Sequence, residues 1–498
     1  MPAPYITWRL TMSESDILVK KSLQGALVLA VVTAVEFGVG LGSQLILTRL
    51  LLPEHFGALA LAVAVADFIK TLMHVTGRRY VIKEQANWQH AVDNTFTLEL
   101  TLGLVAIVFV GVAGPLMMDI LGRPDATRFV QLLAFAVFTN PFGQLGALYE
   151  RDLRFGNANV PVAAAVVAEA IVSVSLAILG LGMWSLVLGR VARFTAMVVL
   201  YWVLTPYRPR LAFDVQVWRD AAVFGWPLTG TAVLVFFYWN IDYYIVGRLL
   251  DDTQLGYYYL AFQMNAYMLK VRSNISAVVY PTFCRAGSDA MIVRGFNLLT
   301  RYTVVLFLVP CVLMLAFGPR IVSFVFGEEW LPATVPFQIL SVVTAWRAAT
   351  GYWDPVLVSK GITRPFFVAA VMNAVILPTA GYFLTLSGGI SGMALAVLIT
   401  VVITTPIQVI ALKRTVEVSY RALLGRPLVV ALLHLAGSLL IASTLELTAW
   451  PGFLFAIGLS LGLWGGLIPV LVPDLPGDLV HLWRSALPSS TPASEGGS

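Results

Sequence analysis

The chain has 498 residues, 58% of them hydrophobic and 12% charged, with a mean hydropathy of +0.83 and a formal net charge of +5. Soluble domains carry about 25% charged residues. There is too little polar surface here to coat a water-soluble globule, which excludes a soluble enzyme, a disordered protein and a secreted disulfide scaffold.

A membrane helix needs roughly 20 consecutive apolar residues. In chain order such runs cover 23–48, 55–75, 94–118, 128–148, 160–181, 184–203, 221–246, 256–281, 296–318, 334–357, 366–386, 390–411, 428–446 and 451–472. The sequence therefore predicts an all-α polytopic membrane protein of about 14 transmembrane helices. Barrel strands are roughly 10 residues long and alternate; these runs are twice that length and do not. The first run is too long for the apolar core of a signal peptide. The polar breaks 76–93, 204–220 and 412–427 read as amphipathic cytoplasmic helices, and the Pro/Ser/Gly-rich tail from Leu487 as disordered. None is long enough for a nucleotide-binding or glycosyltransferase domain. The chain has no P-loop and no GxSxG, HExxH or CxxC pattern, and Cys284 and Cys311 have no zinc spacing. It reads as neither an enzyme nor an ATP-driven pump, and no metal or cofactor is expected.

Lysine and arginine set the orientation. With the N-terminus in the cytoplasm, cytoplasmic segments carry about twenty cations, among them Lys20, Lys21, Arg78, Arg79, Arg208, Arg210, Lys413 and Arg414. The opposite side carries four, Arg49, Arg123, Arg248 and Arg320. That is a strong positive-inside bias. The basic loops need no nucleic-acid partner; they are topology signals that also meet anionic lipid.

An internal repeat runs at an offset of 199. RLLLPEHFGALALA at 49–62 parallels RLLDDTQLGYYYLA at 248–261, matching Arg49 with Arg248, Gly57 with Gly256 and Leu61 with Leu260. A weaker echo pairs GLGMWSLV at 180–187 with GISGMALA at 389–396, an offset of 209. The expected organisation is a cytoplasmic segment 1–22, a six-helix lobe 23–203, a cytoplasmic linker 204–220, a second six-helix lobe 221–411, two added helices in 412–472 and a cytoplasmic tail 473–498. Both halves start on the same side, so the repeat is parallel. Repeat-built membrane proteins without catalytic domains are typically transporters with a midplane site.

The strings RLLLPEHFGALALA at 49–62, YWNIDYYIVGRLLDDTQLGYYYLA at 238–261 and ALYERDLRF at 147–155 resemble Wzx-type lipid-linked oligosaccharide flippases. The likeness is to the colanic-acid and exopolysaccharide branch of the multidrug/oligosaccharidyl-lipid/polysaccharide exporter superfamily. The resemblance implies transfer of an undecaprenyl-pyrophosphate-linked repeat unit across the bacterial inner membrane by alternating access between two lobes. It also implies membrane lipids and the polymerase and export proteins of the same pathway as partners.

Ionisable residues at mid-membrane are costly unless they face a partner or a wet cavity, so they are the best site candidates. Arg190, Arg193, Lys270, Arg272 and Arg347 are the candidate cationic lining for a pyrophosphate or acidic sugar, which guanidinium forks bind well. Arg190 and Arg193 are three apart and share a helix face; Lys270 and Arg272 are two apart and point differently. Glu36, Asp67, Glu169 and Asp242 are the candidate acids for coupling to a proton or sodium gradient. The alternative for each charge is a buried ion pair or a snorkelling helix end, and Asp67 with Lys70 fits a local pair. His74 and His434 read as packing residues. Trp184, Trp239, Tyr243, Tyr257, Trp330 and Trp450 read as interfacial anchors. Competing functions are a cation-coupled drug exporter, a peptidoglycan-precursor flippase and, from another class, a membrane-embedded polysaccharide polymerase or ligase. The last needs a sizeable outer loop, and the longest outer segment is about 319–333.

Overall fold

Lipid offers no hydrogen-bonding partner to a peptide group, so an apolar chain of this kind must satisfy its backbone within helices. The computed structural model describes residues 12–73, 77–84, 87–151, 154–285, 289–416, 421–445 and 450–471, and no strand occurs among them. His74 and the tail from 472 lie outside the described residues. The helices are α1 (Met12–Leu50), α2 (Pro53–Leu72), α3 (Gly77–Lys83), α4 (Trp88–Ile120), α5 (Thr127–Leu133), α6 (Thr139–Gly143), α7 (Gly146–Arg151), α8 (Phe155–Ile178) and α9 (Met183–Leu204). They continue with α10 (Val215–Leu249), α11 (Asp252–Arg285), α12 (Asp289–Val325), α13 (Thr334–Thr350), α14 (Trp353–Ser359), α15 (Arg364–Thr415), α16 (Arg426–Thr444) and α17 (Trp450–Leu471). Eleven segments among the described residues are long and apolar enough to cross a membrane. This is an all-α, multi-pass membrane protein.

α15 counts once among the eleven but has two arms. At Gly389 the backbone takes φ 58°, ψ −142°, outside helical space. A Cβ on Gly392 would strike the carbonyl of Leu384. Residues eight apart on a straight helix are about 12 Å apart along its axis, so the chain doubles back here. Gly182, at the start of α9, has nearly the same conformation, φ 54°, ψ −130°. Only glycine enters this region readily. In conformation Gly389 thus matches Gly182, two residues on from the Gly180 with which the weaker echo aligns it.

The chain divides into two compact units, up to Tyr259 and from Leu260. In the first, α8 packs along α1 and α9, and α10 packs on α2. One core there gathers Val81, Val92, Leu145, Ala147 and Tyr201. In the second, Phe283, Phe296, Tyr352, Trp353, Val356 and Leu412 form a core, and α16 and α17 pack on α12. Trp330 is buried in this unit and Tyr243 in the first, so neither is the interfacial anchor expected of it. Trp184, Trp239 and Trp450 are exposed. His434 is buried and bonded to Ser460 Oγ at 2.9 Å, a packing role.

The repeat is visible in the first unit. α1 and α2 are separated by residues 51–52, and α10 and α11 by the equivalent 250–251. The two junctions then pack on each other reciprocally. A Cβ on Gly57 would strike the carbonyl of Asp252, and a Cβ on Gly256 would strike that of Pro53. Pro53 and Asp252 are themselves repeat equivalents, so the two contacts are related by a local two-fold. Phe56 stacks on Tyr259 beside them at 6.4 Å. Arg123 fixes the second junction, giving Nε to Asp252 Oδ1 and Nη2 to the Leu250 carbonyl, both at 2.6 Å.

The 204–220 segment, expected to be an amphipathic helix, is helical at Leu204, where α9 ends, and from Val215, where α10 begins. Residues 205–214 carry no helix, because Pro206 and Pro209 disfavour one and α4 supplies other partners for the backbone. Asp93 Oδ1 accepts from the Arg210 amide at 2.9 Å and the Tyr207 hydroxyl at 2.8 Å. Thr97 Oγ1 accepts from the Ala212 amide at 3.0 Å, and Asn94 Oδ1 from the Asp214 amide at 2.7 Å. Asp214 then caps α10 through the Gln216 and Val217 amides. Burial and Asp93 push the Tyr207 phenol up to about 12, so it stays a donor at physiological pH. The His90 hydrogen bond and the Gln216 amide hold Asp214 below the usual carboxylate range. That contribution is present above roughly pH 4, the unfolded value, and is lost as pH falls through the lowered one. Asp93→Ala removes one acceptor shared by two donors. We expect it to destabilise the detergent-purified protein by about 1–3 kcal/mol and to speed proteolysis within 205–214. Cleavage there at the wild-type rate would show that the strap is held elsewhere.

Candidate functional site

α8 and α9 approach closely because Gly189 has no side chain: a Cβ there would strike Ser173 Oγ and lie 3.2 Å from the Glu169 carbonyl. That approach sets Glu169 between two arginines one turn apart. Arg193 Nη1 donates to Glu169 Oε2 at 2.9 Å, and Arg190 Nε lies 3.3 Å from Oε1. One carboxylate thus faces two guanidiniums, a net charge of plus one within these three groups. The side chains of Arg190, Glu169 and Arg193 are 20%, 21% and 27% exposed, so the triad is not sealed.

α2 brings Lys70 to the same region. Its ammonium stands 5.7 Å from the Phe194 ring centroid and is within electrostatic range of Asp67, Arg193 and Arg190. Lys70, read from sequence as a local partner of Asp67, therefore also borders the arginine pair. In the second unit, Arg272 Nη1 donates to the Gly351 carbonyl at 3.0 Å. Asp354, Tyr352 and Arg347 lie within its electrostatic range. Lys270 is exposed, while Arg272 and Arg347 are half-buried. Of the five sequence-derived cations, Arg190 thus meets Arg193 across Glu169 in the first unit and Arg272 lies in range of Arg347 in the second, with Lys270 exposed on α11.

The four candidate acids meet different groups. Glu169 holds the arginines. Asp67 lies within range of Lys70 and Tyr244. Glu36 is half-buried in α1, within range of Tyr201. Asp242 is 2% exposed and accepts from Tyr258 Oη at 2.8 Å and the Tyr243 amide at 3.0 Å. Among the described residues no group of three or more His, Cys, Asp or Glu is arranged to hold a metal.

Residues 46–335 match the model of a family described as polysaccharide biosynthesis protein. The chain belongs to the polysaccharide biosynthesis protein family. It is 24% identical over 414 residues to the lipopolysaccharide biosynthesis protein WzxC of Escherichia coli, covering 81% of this chain and 83% of that one. It is also 24% identical over 343 residues to the succinoglycan biosynthesis transport protein ExoT of Rhizobium meliloti, covering 68% and 69%. The fold is similar to that of the lipid II flippase MurJ in an inward closed conformation, with a TM-score of 0.68 over 90% of this chain and 99% of that one, at 13% identity.

This polysaccharide biosynthesis protein holds a polar cluster that the sequence reading passed over. Glu99, 1% exposed on α4, accepts from the Gly77 amide at 3.0 Å, and a Cβ on Gly77 would crowd both Glu99 and Gln144. Beside it Arg78 binds Glu150 bidentately, at 3.0 and 2.7 Å, locking α3 to α7. The signal was an acid five residues into the apolar run 94–118.

Proposed function

We propose that this protein is a flippase for a lipid-linked oligosaccharide, moving an undecaprenyl-pyrophosphate-linked repeat unit across the bacterial inner membrane by alternating access for surface or secreted polysaccharide synthesis. The observation that carries this reading is the Glu169–Arg190–Arg193 triad: a part-open arginine pair sharing one carboxylate, set within membrane helices of a polysaccharide biosynthesis protein. A guanidinium pair suits the phosphates of a lipid carrier or an acidic sugar, while the polyprenyl chain stays in lipid. Arg272, Arg347 and Lys270 are the candidate substrate-contacting cations of the second unit, taken by itself. A drug exporter for cations would be poorly served by such a site. Coupling to a proton or sodium gradient belongs to the same proposal, with Glu36, Asp67 and Asp242 as the further candidate acids beside Glu169. The positive-inside count supports cytoplasmic termini and fourteen crossings, with α11, α13–α14 and both arms of α15 included.

The test is deletion of the gene in a strain lacking other members of the family. Surface polysaccharide should be lost and lipid-linked repeat units should accumulate on the cytoplasmic side. Normal polymer without accumulation would overturn the reading.

A further inference from the structure

The triad is built as a charge that can be traded. Each oxygen of Glu169 serves one guanidinium, the pattern that a phosphate or carboxylate of a substrate would present to the same two side chains. Two cations in a low-dielectric setting are costly without an anion, and removing one partner of a buried pair is strongly destabilising. The arginines thus need one anion or another at every stage. The helices themselves are fixed: Gly189 seats α9 against Ser173 and the Glu169 backbone. An exchange of anions would need only a rotamer change of Glu169, not a helix movement, and the partial exposure of all three side chains allows it. Lys70, with Phe194 beneath it and Asp67 within its electrostatic range, stands beside the pair from α2.

We infer that Glu169 is an exchangeable counter-ion: it holds Arg190 and Arg193 in the arrangement seen here, yields them to an oxyanion on the substrate headgroup, and reclaims them to drive release. This rests on the reading of Arg190 and Arg193 as the anion site. Glu169 is then a positioning residue that competes with substrate, and its removal has an unusual signature: binding improves while turnover falls.

The experiment uses the full-length protein in detergent for binding and in proteoliposomes for flipping. Probes are geranyl pyrophosphate, inorganic pyrophosphate and a galacturonate trimer, which separate a lipid pyrophosphate from free phosphate and from an acidic sugar. Glu169→Gln should bind at least one of these roughly tenfold tighter, the equivalent of one charge-assisted hydrogen bond no longer competed for. Its flipping rate for a fluorescent prenyl-pyrophosphate oligosaccharide should fall by a similar factor. Glu169→Asp, whose shorter side chain reaches one guanidinium at a time, should bind roughly threefold tighter and serves if the glutamine variant does not insert. A purely structural carboxylate would weaken both binding and flipping, and unchanged or weaker binding of every probe in the inserted variants would overturn the counter-ion role. Arg193→Gln in an otherwise wild-type chain separates the two ideas. If it leaves binding of all three probes intact, the anion site itself is elsewhere.

Discussion

Arg193→Glu lowers polymer export by roughly two orders of magnitude, with the protein still in the membrane at wild-type level. The argument is electrostatic. Arg193 makes the hydrogen bond to Glu169, at 2.9 Å, whereas Arg190 Nε is an ion-pair contact at 3.3 Å. A reversed charge there puts two carboxylates against the single guanidinium of Arg190 and turns the net charge of these three groups from plus one to minus one. Loss of a desolvated charge pair with a ligand costs about 2–5 kcal/mol, and like-charge repulsion adds to it. Arg193→Lys keeps the charge but loses the fork, so its loss should be smaller, roughly tenfold. Export is scored as surface polysaccharide per cell, and insertion by membrane fractionation. Wild-type export by the reversed variant would remove the triad from the transport path.

Gly57→Ala and Gly256→Ala are each expected to destabilise the protein by about 3 kcal/mol, the upper end of overpacking, and to depress transport together. Alanine gains about 1 kcal/mol of helix propensity over glycine, so the sign depends on space. At both positions a Cβ would meet a backbone carbonyl, Asp252 for Gly57 and Pro53 for Gly256. A carbonyl in a helix cannot turn away as a side chain would; the junctions must separate. The two variants should have matching effects because the contacts are two-fold equivalents. Gly42, with nothing within 4 Å of its added Cβ, is the control, and Gly42→Ala should be neutral or slightly stabilising. Thermal unfolding of the purified protein reads the difference. Wild-type melting in both variants would show that the junctions do not pack this way.

Composition and the length of apolar runs were enough to settle fold class, since a chain with 12% charge and many spans of helix length has no alternative in lipid. The offset of 199 was equally legible, and both helix junctions fall where it placed them. The identity of the charged residues was legible too, because an ionisable group in a span stands out against its surroundings. Their partners were not. Sequence spacing relates residues along one helix, so it found Arg190 with Arg193 and Asp67 with Lys70. It had no means of bringing Glu169 on α8 between two side chains of α9. The close approach that does so depends on the absence of a single Cβ at Gly189.

The same limit explains the linker. Hydrophobic pattern alone made all of 204–220 look helical, whereas side chains of α4, distant in sequence, capture the amides of Arg210, Ala212 and Asp214, and residues 205–214 carry no helix. The sequence by itself thus determined the class, the number of apolar runs, the repeat and the list of charges, all properties of one segment or of two compared segments. Tertiary structure alone decided which charges neutralise each other, why Gly57 and Gly256 recur, and where two guanidiniums share one carboxylate. Each of those rests on distances of a few ångströms between helices far apart in the chain. The few charged residues in lipid remain the informative ones, and their geometry gives them distinct roles.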